Sequence, residues 1–173
     1  PPDSLQGLAI AEDMQRNFAD TAIRTEPSDN VAVIYQSGAY GEGLQATFSA
    51  AMADYGGRTE LLPFDSATGS AEQTAQAGNG GYDEVLFISS EATDISQFLL
   101  GAKGLASYAD LPIFLTDAAK NTDVLTEGAD AFELFDQIRG TAPANPSGNV
   151  FETFAASYGQ AYGGEDVRGL AYT

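Results

Sequence analysis

The sequence has no cysteine and no histidine, and it carries only 7 lysines and arginines against 25 aspartates and glutamates. Without the first two residue types, thiolate chemistry, Ser-His-Asp and Cys-His catalysis, and the usual zinc and copper sites are excluded within this chain. Absence of cysteine fits oxidising and reducing compartments alike. The shortage of basic residues leaves a net charge of −18. A field of that sign repels phosphate backbones and anionic bilayers, which disfavours nucleic-acid and membrane-surface partners. The acidity itself reads as a solubility feature of the kind a salty habitat requires, with a cation-seeking function as the other reading. No apolar run approaches the ~20 residues of a membrane span, and no signal-peptide pattern is present. The chain opens at Pro1-Pro2 without a methionine, so it is expected to be an excised piece whose targeting information lies upstream.

What is present is ordinary globular material. Hydrophobic residues make up 43% and aromatics 10% of 173 positions, enough for one domain with a real core and too much for disorder. The clearest stretch is Val31 to Leu44, V-A-V-I-Y-Q-S-G-A-Y-G-E-G-L. A run of β-formers ends in a small polar turn, and Leu44, Phe48, Met52 and Tyr55 then recur at helical spacing. Before it, Leu5, Leu8, Ala9, Ala11 and Met14 predict the apolar face of an amphipathic helix reaching towards Ile23. After it, Gly56-Gly57 predicts a helix stop, Thr59 to Phe64 a second strand, and Ala71 to Ala77 a brief helix.

A third strand is expected within Asp83 to Ser90, followed by a helix from Asp94 to about Ser107 with Thr93 as its cap. Leu111 to Leu115 predicts a fourth strand, Asn121 to Glu127 a short helix, Phe132 to Ile138 a fifth strand, and Phe151 to Tyr162 a last helix. Strands alternating with helices give an α/β fold, an open parallel sheet of about five strands with helices on both faces. The whole of residues 1–173 reads as one such unit, with no repeat and no linker.

In open parallel sheets, ligands bind at the carboxyl ends of the strands. The loops there contain Ser37, Gly38, Tyr40, Ser89, Ser90, Glu91 and Asp117. Hydroxyls, one aromatic ring and carboxylates suit a small polar ligand bearing an ammonium or amide, the carboxylate meeting the cation and the ring covering an apolar part. Plainer readings stand beside this one. Tyr40 can be an amphipathic residue at a helix start, and Glu42 a surface charge favoured by the helix dipole. Ser89-Ser90 can be loop chemistry, and Asp117 a helix cap. Gly38, Gly41 and Gly43 lack the spacing of a dinucleotide loop, and no Walker lysine follows. Gln36-Ser37 is not the acidic pair a phospho-acceptor domain needs, and Glu91 and Asp117 have no partner set for glycoside hydrolysis. No enzyme activity and no cofactor are expected.

The motif Tyr40-Gly41-Glu42-Gly43-Leu44, after the strand Val31 to Tyr35, resembles the type I periplasmic binding proteins of branched-chain amino acid transporters, the Leu/Ile/Val-binding family. Further stretches agree in order. Pro2-Asp3-Ser4-Leu5-Gln6-Gly7 is similar to the segment after that family's first interlobe crossing. Tyr82-Asp83-Glu84-Val85 and Leu111-Pro112-Ile113-Phe114 are similar to two of its strands. Phe151 to Gly159, with Ala171-Tyr172-Thr173, is similar to the run before its return crossing. The match spans nearly the whole chain and about half of the family's protein, its C-terminal lobe.

The resemblance implies a periplasmic or extracytoplasmic protein, with lipid anchoring through an upstream segment as one arrangement. Its implied partners are an amino acid or similar small solute, a missing N-terminal lobe and the membrane permease of an ABC transporter. It implies that Tyr40 packs on the ligand and that Asp117 meets an α-ammonium group. A second aromatic is implied around Ser90 or Glu91, and this sequence departs there, which leaves the branched-chain preference open. The other functional class that fits is a receptor or interaction module of the same fold that has lost small-molecule binding.

Overall fold

Four consecutive buried residues, Val31 to Ile34, set the centre of the sheet. A strand buried on both faces reads as a continuous apolar run because both sides meet protein. The computed structural model describes residues 3–17, 23–142, 152, 153, 155–157 and 160. Five strands are all parallel: β1 (Asn30–Gln36), β2 (Arg58–Phe64), β3 (Glu84–Ile88), β4 (Ile113–Leu115) and β5 (Ile138–Gly140). Their order is β2-β1-β3-β4-β5. The direction of strand addition therefore reverses between β1 and β3, and a crevice opens at their carboxyl ends. At the edge, β2 alternates buried and exposed side chains near its end and tolerates Pro63, as an edge strand can.

Helices α1 (Asp3–Glu12) and α2 (Ala39–Asp54), with the turn that follows α1, contribute to the core on one face of the sheet, where Ile10, Met14 of that turn, Leu44, Phe48 and Met52 join Val31, Val33, Leu86, Ile88 and Phe114. On the other face lie α3 (Ala71–Asn79), α4 (Ala92–Lys103) and α5 (Thr122–Glu127). Phe87 stacks between Phe64 and Phe98 at centroid distances of 5.4 and 4.3 Å. Asn121 caps α5, its Oδ1 accepting the Asp123 N–H at 2.9 Å.

The first helix differs from its expected phase. Leu5 and Leu8 are 58% and 51% exposed, whereas Gln6, Gly7, Ile10, Ala11 and Met14 are buried. The cause is a close crossing of α1 on α2. A Cβ on Gly7 would come within 2.9 Å of the Phe48 nitrogen, so the small residue faces inward and the leucines rotate out. The regular helix also ends sooner, giving way to a π-helical turn over Asp13–Asn17.

Phe132 to Ile138 is not a strand. Ala129–Gln137 forms 3-10 turns, with Ala131 and Leu134 buried three positions apart and Phe132 exposed. Three residues per turn puts those two on one side, whereas a strand would have put Phe132, Leu134 and Ile138, all at even positions, on one face. The N-cap of α4 is Glu91 rather than Thr93.

Chain contacts divide the protein into Pro1–Ala142 and Pro143–Thr173. The described residues of the second unit are helical, and Ser157 Oγ donates to the Thr153 carbonyl at 2.9 Å. They fall inside the helix expected over Phe151 to Tyr162. The rest of that helix and Ala171-Tyr172-Thr173 lie outside the described residues.

At the opposite end of β3 from the crevice, Glu84 is fully buried. It accepts from Ser28 Oγ at 2.5 Å and from Arg139 through two nitrogens at 3.2 and 2.9 Å. Arg139 also reaches Asp13 at 3.3 Å and lies over the Phe114 ring at 5.3 Å. Burial pushes the Glu84 carboxyl above its ordinary value of 4.5, and Arg139, the Ser28 hydrogen bond and Arg24 pull it part of the way back. A carboxyl so raised holds a proton that the unfolded chain has released. Its contribution to stability is full below the unfolded value and is lost as pH rises through the folded one. Relative to Glu84→Gln, the unmodified chain should therefore lose melting temperature as pH climbs from 4.5 towards neutrality. A difference that stays flat across that range would rule the shift out.

Candidate functional site

The carboxyl end of β1 turns sharply into α2. Ser37 N–H donates to the Phe64 carbonyl at 2.8 Å, and Gly38 is the N-cap with φ 132° and no side-chain capping bond. Gly41 explains the Tyr40-Gly41 pair in physical terms. A Cβ there would sit 1.9 Å from the Gln36 carbonyl oxygen, so only glycine lets the first turn of α2 fold back on the strand it leaves. That close turn fixes Tyr40 at the rim, half-buried.

Tyr40 and Asp117 meet. The Tyr40 hydroxyl donates to Asp117 Oδ1 at 3.1 Å, across 77 residues of sequence. Gln6 Nε2 donates to the same oxygen at 3.0 Å and to Thr141 Oγ1 at 3.1 Å. Gln6 is 6% exposed, so its amide is a fixed donor, and it ties α1 to the loops after β4 and β5. Asp117 Oδ2 takes part in none of these bonds. The cap reading of Asp117 fails, because Thr116 occupies the N-cap position of the 3-10 turn Asp117–Ala119 and the Asp117 side chain bonds Gln6 and Tyr40 instead.

A second polar group closes the crevice between β1 and β3. Gln36 Oε1 accepts from Ser90 N–H and Ser90 Oγ at 3.2 and 3.1 Å, and Gln36 Nε2 donates to Ser66 Oγ at 2.9 Å. Ser66 Oγ and Ser89 Oγ donate to Asp94 Oδ2 at 2.6 and 2.9 Å. Glu91 N–H donates to Ser89 Oγ at 3.0 Å, and Ser90 Oγ lies 3.2 Å from Glu91 Oε1. Asp94 is 5% exposed, and two hydroxyl donors satisfy its buried Oδ2. Ser89 is buried with its hydroxyl turned to Asp94, so it supports the rim rather than facing it.

The candidate residues thus fall into two groups, Tyr40 with Asp117, and Ser89 with Ser90 and Glu91. Ser37 and Gly38 are exposed between β1 and α2 and join neither through a side chain among the described residues. Sequence reasoning missed Gln6, Gln36, Ser66, Asp94 and Thr141 as site supports. A polar Gln6 beside Gly7 on the buried face of α1 is the one signal that could have marked its role, once the helix phase is right. Among the described residues, no helix is long and apolar enough to cross a membrane.

No family profile and no curated protein matches this sequence. Solved structures do match. The leucine-binding protein LivK of Thermotoga maritima superposes with a TM-score of 0.70 at 22% identity, over 98% of this chain and 47% of that one. A fatty acid ABC transporter substrate-binding protein from Thermomonospora curvata gives 0.65 at 14% identity, over 93% and 40%. A solute-binding protein from Rhodopseudomonas palustris, solved with 3,4-dihydroxybenzoic acid, gives 0.63 at 15% identity, over 93% and 42%. The chain spans less than half the length of each. Its fold is that of one lobe of the substrate-binding proteins of ABC transporters, which is the fold the motif order implied. Those neighbours bind chemically different solutes, so the shared fold does not select a ligand.

Proposed function

We propose that this chain is the ligand-recognising lobe of an extracytoplasmic solute-binding protein that captures an amino acid or similarly small polar solute for an ABC transporter. The observation that carries the reading is the contact of Tyr40 with Asp117 at the carboxyl rim, held from behind by Gln6. In this reading Asp117 Oδ2 meets a cationic nitrogen of the ligand, and the Tyr40 ring covers the adjoining carbon atoms. Ser90 and Glu91 form the neighbouring wall. A second lobe supplies the opposite wall, and closure of the two by a hinge is the state a membrane permease detects. No bond is made or broken.

Calorimetry of the full-length protein against the common amino acids and short amides tests it. Saturable heat for one member of the panel, absent in Asp117→Ala, is the expected result. A folded protein that gives no heat with any of them overturns the reading. That outcome would favour a module of the same fold without a small ligand, an alternative supported by the serine and glutamate standing where the binding family has an aromatic.

A further inference from the structure

We draw no further inference here: the strongest candidate, the apolar cavity beside β4 and β5 that Leu99, Leu115, Val124, Phe135 and Ile138 line, carries nothing because nothing among the described residues shows what covers it.

Discussion

Arg139→Ala should cost this chain about 3–5 kcal/mol of folding stability, the usual penalty for removing one partner of a buried ion pair. Arg139 joins three parts of the fold at once. It belongs to β5, it bonds Glu84 at the start of β3, and it reaches Asp13 in the π-helical turn after α1. Taking it away leaves Glu84, with no exposed surface, facing only Ser28 and the more distant Arg24 at 4.0 Å. It also uncovers the Phe114 ring, over which the guanidinium lies.

The size of the loss does not mean that the pair is a large net stabiliser. Desolvating two charges offsets most of their attraction, so the double variant Glu84→Leu with Arg139→Met should return to within about 2 kcal/mol of the parent. Urea denaturation of the single and double variants decides the point through midpoints at constant slope. If both single variants and the double lose equal amounts, the residues act through packing alone and the ionic account fails.

What local patterning could reveal about this molecule, it did reveal. Val31 to Ile34 and Val85 to Ile88 are runs of β-formers bounded by polar or glycine turns, and both are central strands buried on two faces. The parallel arrangement follows from their alternation with helices. Two elements were obscure for definable reasons. The phase of α1 is set by how closely Gly7 approaches α2, a tertiary fact that outweighs the hydrophobicity of Leu5 and Leu8. The segment before β5 carries Phe132, Leu134 and Ile138 at the even positions of one strand face, but its 3-10 turns bury Ala131 and Leu134 at a spacing of three and leave Phe132 outside.

The rim shows the same division. Tyr40 and Asp117 were legible as a chemically sensible pair because both lie just past strand ends. Gln6 was not, since its bonds span 111 and 135 residues and nothing local marks a glutamine as a long-range donor. Gln36, Ser66 and Asp94 are hidden likewise, being ordinary loop and helix-start residues until the sheet order brings three loops together.

Asp117→Asn should weaken the tightest amino-acid or amine ligand by at least about thirtyfold, or about 2 kcal/mol, the lower end for truncating a buried charge-paired contact. Asparagine keeps a carbonyl oxygen where Asp117 Oδ1 receives Gln6 and Tyr40, so the support behind the site survives and only the charge is lost. Gln6→Leu makes the complementary change: the carboxylate stays charged but loses its buried donor and its tie to Thr141. Its effect should be smaller, about tenfold, through a carboxylate less firmly aimed. Glu42→Gln removes a charge from the exposed first turn of α2 and should stay within about twofold, because an exposed carboxylate is screened over roughly 8 Å at physiological salt. The ordering of the three separates the possible causes. A general effect of the −18 charge would make Glu42→Gln resemble Asp117→Asn. A purely geometric role for Asp117 would make Gln6→Leu as damaging as Asp117→Asn. Full affinity in Asp117→Asn would mean that this carboxylate does not meet the ligand, and that Tyr40 and Asp117 bond each other for the sake of the fold.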